Sequence, residues 1–436
     1  MKSFLLFCAA SVLALPLARG QSALDIIGLP ALQSQDPTLT GSGVVVDQVE
    51  SAPDPFDFEV SPPAVEQSGT LFSFLSTQGE AHGFPNHVGH ASGHANQVAQ
   101  SFYGMGSGVA TGVRHIANYE TSLFFPSVIQ RQLAIPAAVV NQSFEFGGHD
   151  SAQDQAYDDY IARFHTLIAS GVGDGGPVLT PSDCYNGLGV GAYGGASSVG
   201  PAANGLCKPD ITAPAGATSF STPLIAGAAA LLVQDASRQG ANTLAAVDSR
   251  TIKALLLNGA SKPGDWTHTP NSPLDKRYGA GVLNVFTSYT ELQGGRQPPT
   301  LAEVTGAPGH PPLTSGAPTP VSTAWDYRGV NSGSAKAGVN HYLIATNASG
   351  ALVATLVWNK PYRAASINRL GLYLYNSAGQ FLASSKSAVD NLQHLYVTGL
   401  GPGTYDIEIV KFAGPPGAPG VLSTHEAYAL VWDFGR

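Results

Sequence analysis

The stretch Gly216-Ala217-Thr218-Ser219-Phe220-Ser221-Thr222-Pro223 opens a run of small and apolar residues that continues to Gln234. A run without a polar face predicts a helix that is buried on all sides. The first turn of a helix offers unbonded N–H groups and a positive dipole end, so a serine there can act as a nucleophile whose oxyanion product is stabilised. Ser219 could equally be a helix cap, and Thr222-Pro223 suits that interpretation too. The stretch alone leaves both roles open.

The chain on either side of this stretch alternates between β-like and helical patterns from Gly41 to about Tyr289. That alternation predicts an α/β domain, a parallel sheet covered by helices. The predicted strands are Val44–Val49, Ala137–Val140, Leu167–Ser170 and Leu188–Ala192, and the predicted helices are Ala152–His165, Thr222–Gln234 and about Arg250–Asn258.

A change of composition divides the chain after this region. Residues 297–335 are rich in Pro, Gly, Ser and Thr and are interpreted as a linker. Residues 336–436 hold short runs of branched and aromatic residues separated by turn signals, which predicts an antiparallel β-sandwich. These runs are His341–Thr346, Leu352–Trp358, Leu370–Tyr375, His394–Thr398, Thr404–Lys411 and Ala427–Trp432.

The amino terminus has the pattern of a signal peptide. Met1-Lys2 precedes an apolar run from Phe4 to Leu17, and the small residues of Ala18-Arg19-Gly20 fit a cleavage site before Gln21. We therefore expect residues 1–20 to be removed on export and residues 21–296 to form the first domain. The expected location is secreted, periplasmic or at the cell surface, and no later run predicts a membrane span.

Composition limits the partners. The formal net charge is −9 over 436 residues, and cleavage at Gln21 would remove Lys2 and Arg19 but no acid, which argues against nucleic acid as a partner. Cleavage would also remove Cys8, leaving Cys184 and Cys207 either as one disulfide or as two buried thiols.

The serine stretch, with Lys208-Pro209-Asp210-Ile211-Thr212-Ala213-Pro214 before it, resembles the serine motif of the subtilisin family. Ala217 replaces a glycine of that motif, and Phe220 and Ser221 replace Met and Ala. The resemblance implies a subtilisin-like fold and a serine endopeptidase that acts through an acyl-enzyme on Ser219.

Ser92-Gly93-His94-Ala95-Asn96-Gln97-Val98-Ala99 is similar to the histidine motif of the same family, which implies that His94 is the general base. His90 is the rival for that role. A metal site within the run of His82, His87, His90 and His94 lacks acidic or cysteine ligands nearby.

Gly41 to Ser51 resembles the family's first core strand, and an ungapped match puts Glu50 at the position of the acid that orients the histidine. Asp47 lies three residues earlier, so its side chain points to the opposite face of a strand. Glu50 is therefore the predicted orienting acid.

Two further segments fit the family order. Val139 to Phe144 resembles the strand that pairs with substrate, so Ser143, Phe144 and Glu145 are predicted to contact the peptide. Ala169-Ser170-Gly171-Val172-Gly173-Asp174-Gly175 resembles the oxyanion segment, with Gly171 lining the substrate site and Asp174 in place of the donating asparagine. Only a protonated Asp174 could donate, which predicts an acidic pH optimum. The alternative is that Asp174 caps a turn.

The expected partner is a protein or peptide substrate, and the expected state is a monomer. No metal ligand and no cofactor is assigned, although the resemblance allows a structural Ca²⁺. Two other functions stay open: a catalytically impaired subtilisin-like domain that binds peptide, and a structural cell-surface protein whose β-sandwich carries the function.

Overall fold

The computed structural model describes residues 21–51, 56–65, 69–306, 311–317, 321–414, 417–418 and 420–435. The signal-peptide prediction falls on residues 1–20 and lies outside the described part. Within the described part, no helix has the length and apolar character needed to cross a bilayer.

The first domain is built on an eight-stranded sheet with the strand order β10-β9-β8-β7-β1-β6-β3-β4. Its strands pair in parallel except for the antiparallel β3–β4 pair. The bounds are β1 Val45–Glu50, β3 Leu71–Ser76, β4 Gly79–Ala81, β6 His115–Glu120, β7 Val139–Gln142, β8 Leu167–Gly171, β9 Leu188–Tyr193 and β10 Ile211–Pro214, with a separate parallel pair, β2 Asp57–Glu59 and β5 His90–Ala91. The predicted α/β architecture is confirmed.

Helices accompany the sheet, and the three that were predicted differ from their predicted bounds by one to four residues. They are α1 Ala23–Ile26, α2 Leu29–Gln35, α3 Gly93–Phe102, α4 Thr121–Phe124, α5 Ser151–Phe164, α6 Thr218–Ala236, α7 Thr243–Ala246, α8 Ser249–Gly259 and α9 Val285–Gln293. Helix α6 is buried along most of its length, as its uniformly small and apolar sequence requires.

The C-terminal part is a sandwich of two antiparallel sheets, ordered β11-β13-β18-β15-β16 and β12-β19-β14-β17. The bounds are β11 Leu301–Gly306, β12 Thr323–Asn331, β13 Lys336–Thr346, β14 Gly350–Trp358, β15 Leu370–Asn376, β16 Phe381–Ser385, β17 Leu392–Leu400, β18 Gly403–Lys411 and β19 His425–Phe434. The predicted sandwich is confirmed. Strands β11 and β12, however, lie inside residues 297–335, so that segment is not simply a linker. Its apolar residues are few and scattered, and neighbours such as Ala324 and Trp325 pack into different cores, so the segment gives no strong periodic signal.

The two parts share one hydrophobic core. Trp325, Val357 and Leu392 of the sandwich belong to the same cluster of buried side chains as helices α6 and α8. Every residue of α8, from Ser249 to Gly259, is buried. Helix α8 is therefore covered by the eight-stranded sheet on one side and by the sandwich on the other.

Candidate active site

The carboxyl end of β1 brings an acid against a histidine. Glu50, the last residue of the strand, is 2% exposed, and its Oε2 lies 2.7 Å from Nδ1 of His94. His94 is the second residue of α3, whose Ser92 side chain caps the helix by accepting from the Ala95 amide. A proton on Nδ1 that is donated to Glu50 leaves Nε2 as an acceptor, the form that a general base needs.

Two residues that the sequence analysis missed hold Glu50 in place. Gln48 Nε2 donates to Glu50 Oε1 at 2.7 Å and to the Ala95 carbonyl at 3.0 Å. Tyr103 in turn donates its hydroxyl to Gln48 Oε1 at 2.7 Å. Gln48 and Glu50 are two apart on a strand and share a face, which is the sequence signal that could have identified Gln48.

The surroundings of His94 change its proton affinity. Burial lowers the pKa of His94, but the charge of Glu50, its hydrogen bond and the more distant charge of Asp174 outweigh this and raise the pKa above its ordinary value. The ring of Phe220 lies with its centroid 5.8 Å from that of the imidazole and covers one side of it.

Ser219 is the second residue of α6 and directly precedes Phe220, whose ring packs against His94. In the structure its hydroxyl donates to the Ser143 carbonyl at 3.3 Å. Among the described residues, no hydrogen bond joins Ser219 Oγ to His94. Pro223 explains a second contact: it has no N–H to donate to the carbonyl four residues earlier, so the Ser219 carbonyl accepts from Ser143 Oγ instead, at 2.9 Å. The start of α6 and the end of β7 are thus joined twice.

Asp174 lies at the amino end of α6, but as an acceptor. Its Oδ1 accepts from the amide of Thr218 at 2.7 Å and from the Thr218 hydroxyl at 2.8 Å. This geometry matches the capping alternative for Oδ1, and the predicted role of a protonated Asp174 as a donor stays a prediction. The Ser219 amide, next in the helix, has no protein acceptor among the described residues, so it is a candidate oxyanion donor.

The chain was compared with known proteins. Residues 75–281 match the model of the subtilase family. Residues 75–281 belong to the subtilase family. The match includes His94, Ser143, Asp174 and Ser219, whereas Glu50 lies before it. Subtilases are serine peptidases, so the domain is of that class.

No curated protein matches the chain. Among solved structures, a mutant of the PatA protease domain is 23% identical and covers 59% of this chain and 98% of its own, with a TM-score of 0.45. The PatG macrocyclase domain is 18% identical, covers 63% and 98%, and has a TM-score of 0.46. The CspB protease of Clostridium perfringens is 12% identical, covers 62% and 99%, and has a TM-score of 0.48.

The residues predicted to bind substrate in the subtilase domain divide into two groups. Ser143 and Phe144 lie directly after β7, and the Phe144 ring packs 5.5 Å from that of Phe146. Gly171 is buried instead, and a Cβ there would come within 3.2–3.3 Å of Thr218 and Thr222. Gly171 therefore allows close packing of β8 against α6, and its predicted contact with peptide stays a prediction.

Glu145 places a carboxyl group beside the oxyanion segment. A Cβ on Gly173 would lie 2.2 Å from Glu145 Oε2, so the carboxyl group lies directly against that backbone. Burial and the charge of Asp174 raise the pKa of Glu145 above its ordinary value.

The rival residues lie outside the site of the subtilase domain. His90 is exposed, with Nδ1 3.4 Å from Asp57 Oδ1. Asp47 is 1% exposed, and burial raises its pKa well above the ordinary value. Both placements agree with the choice of His94 and Glu50.

The possible disulfide between the two remaining cysteines is not formed. Cys184 and Cys207 are both free. Cys184 is buried, and its Sγ would lie 2.7 Å from a Cβ placed on Gly187. Cys207 Sγ lies 3.3 Å from the Ser272 hydroxyl. The alternative of two free thiols is the correct one, although only Cys184 is fully buried. Partial burial raises the pKa of Cys207 to about 12, which makes it unreactive at neutral pH.

Proposed function

We propose that this chain is an exported serine endopeptidase in which Ser219 is the nucleophile, His94 the general base and Glu50 the residue that orients His94. The observation that carries the proposal is the bond of 2.7 Å between Glu50 Oε2 and His94 Nδ1 beside the start of α6. Export is supported by the signal-peptide pattern of residues 1–20.

The reaction follows from these groups. Ser219 Oγ rotates from the Ser143 carbonyl towards His94 Nε2 and passes its proton there as it attacks the peptide carbonyl carbon. The oxyanion accepts from the Ser219 amide, aided by the positive end of α6. His94 then gives the proton to the leaving amine, and water, activated by His94, releases the acyl group from Ser219. The Glu50 carboxylate stabilises the imidazolium in both halves of the reaction.

A fluorophosphonate probe tests the nucleophile. We expect one adduct, located on Ser219 by mass spectrometry, and hydrolysis of unfolded casein or a quenched peptide. The variant Ser219→Ala should lose both the adduct and the hydrolysis. Ser221→Ala is the matched control, because Ser221 Oγ donates to the Thr218 carbonyl within the same helix and should not react.

A second candidate is a peptide-binding domain of low catalytic power. It is favoured by the Ser219 hydroxyl, which bonds to Ser143 rather than to His94, and by the carboxyl group of Asp174 near the oxyanion position. Absence of adduct and hydrolysis in a protein that still binds peptide would select this candidate over the peptidase.

A further inference from the structure

A histidine and two buried acids meet away from the candidate active site. His149 follows β7, Asp154 lies in the first turn of α5, and Asp183 lies in the loop before β9. Nδ1 of His149 is 2.6 Å from Asp183 Oδ2 and 3.3 Å from Asp154 Oδ2, and one ligand atom of each residue lies within 4.8 Å of the other two.

The two carboxyl groups are poorly compensated. Asp183 is 0% exposed and Asp154 is 5% exposed. Neither side-chain oxygen of Asp154 has a hydrogen-bond partner among the described residues, although Asp183 Oδ1 accepts from Thr180 at 3.2 Å. One protonated His149 balances one carboxylate, so the second needs either a proton or another cation.

The donor set selects the cation. A neutral imidazole with two carboxylate oxygens suits zinc and related first-row metals, whereas calcium takes six to eight oxygen ligands. Tetrahedral zinc with bonds of about 2.0–2.2 Å holds its ligand atoms roughly 3.3 Å apart. The distance from His149 Nδ1 to Asp154 Oδ2 is 3.3 Å, and the 2.6 Å to Asp183 Oδ2 would lengthen as the ion enters. The His149 side chain is 31% exposed, which leaves a path for the ion and a position for water. We propose that His149, Asp154 and Asp183 form a binding site for a divalent transition metal, with zinc as the ion.

Such an ion would link three elements of the fold that are otherwise joined by few hydrogen bonds. The amide of Phe146 donates to the Thr180 carbonyl at 2.8 Å, and the amide of Asp150 donates to Thr180 Oγ1 at 2.9 Å. The metal would add a link between the segment after β7, the start of α5 and the loop before β9. The proposal does not depend on the proposed peptidase activity.

The test uses the full-length protein, stripped with chelator and then titrated with ZnCl₂. We expect one retained equivalent of zinc by elemental analysis after dialysis, a higher Tm in zinc, and a visible absorption band when Co²⁺ replaces it. His149→Gln and Asp183→Asn should each weaken zinc binding by about tenfold or more. His90→Gln is the matched control, since it removes an exposed histidine that also faces an aspartate.

Circular dichroism of each variant in chelator separates loss of the site from loss of the fold, and His149, at the surface of the cluster, is the safer substitution. Three results would overturn the proposal: no stoichiometric zinc retention, unchanged zinc binding in His149→Gln, or stabilisation by Ca²⁺ but not by Zn²⁺. The first result would mean that Asp154 keeps a proton in place of the ion.

Discussion

The acid that holds His94 is a glutamate, and the extra methylene is accommodated because a second side chain supports it. Glu50 Oε1 accepts from Gln48 while Oε2 faces His94, so both carboxylate oxygens have a partner. Fixed at both oxygens, the longer side chain loses the rotamer freedom that would otherwise weaken its hold on the imidazole. The precision of this pair therefore depends on Gln48 as well as on Glu50.

The charge of Glu50 should set the acid limb of the pH–rate profile. His94 must be neutral to act as a base, and its pKa is raised, so kcat/KM should rise as the pH rises through that pKa. Glu50→Gln should lower the pKa of His94, shift the limb to lower pH, and reduce kcat by roughly 10³- to 10⁴-fold through loss of charge stabilisation. The pH dependence of peptide hydrolysis measures both effects.

Glu120→Gln is the matched control for that experiment, because Glu120 pairs with Glu50 in register on β6 but does not contact His94. An acid limb that stays in place in Glu50→Gln would contradict the assignment. A maximum well below neutral pH would instead support the earlier hypothesis of a protonated Asp174, which the acceptor geometry of Asp174 disfavours.

Glu145 predicts a preference in the substrate. Its carboxyl group lies against Gly173 beside the candidate oxyanion position, so an ionised Glu145 should favour Lys or Arg at the residue before the cleaved bond. We expect Glu145→Gln to reduce kcat/KM for such peptides by about tenfold, about 1.4 kcal/mol, and to leave peptides with Phe there nearly unchanged. Paired fluorogenic peptides above pH 7 measure this.

The control is Glu80→Gln, which removes an exposed acid on β4 and should leave kcat/KM for both peptides unchanged. Equal losses for the Lys and Phe peptides in Glu145→Gln would show that the carboxyl group acts on the fold of the site and not on specificity.

At the scale of elements, α5 is joined to the chain after β14 by a buried ion pair. Lys360 Nζ lies 3.2 Å from Asp158 Oδ2 and donates to Gln155 Oε1 at 2.6 Å, while Asn186 bonds to the Lys360 backbone. Burial raises the pKa of Asp158 to about 6 in spite of the charge of Lys360.

Lys360→Met should therefore lower the free energy of unfolding by about 3–5 kcal/mol, because it leaves the Asp158 carboxyl buried without its cation. Denaturant unfolding at pH 7 measures the change. Lys336→Met, at the exposed start of β13, is the control, and equal stability of the two variants would contradict a structural role for the pair.

Elements with an uninterrupted apolar pattern could be predicted closely. Strand β8 and helix α6 were predicted correctly. Every residue of β8 and most residues of α6 are buried, so both have a nearly uninterrupted run of small and apolar residues. Strand β6, with the sequence His-Ile-Ala-Asn-Tyr-Glu, was missed. Its buried Asn118 donates to the carbonyls of Gln48 and Phe58, so polar residues there serve tertiary contacts that no local pattern reveals.

At the scale of the molecule, the sandwich and the subtilase domain should unfold together. Trp325 is buried in the shared core, its Nε1 donates to the Leu292 carbonyl, and the Cys207 amide donates to Asp390. A chain ending at Gln297 would expose α8 and much apolar surface.

We expect that truncated chain to be insoluble or to lack a cooperative thermal transition, as judged by soluble yield and circular dichroism. The full-length protein is the control. A folded, active fragment of residues 21–297 would contradict the shared core and would restore the interpretation of two independent domains.

The sequence by itself determined the α/β class, the sandwich, the family and the order of Glu50, His94 and Ser219, because burial periodicity and short motifs are local properties of the chain. Only the tertiary structure decided that Asp174 is an acceptor, that Cys184 and Cys207 stay apart, and that His149, Asp154 and Asp183 meet. Each of these depends on distances between segments far apart in the chain, which the folded packing sets and no local pattern encodes.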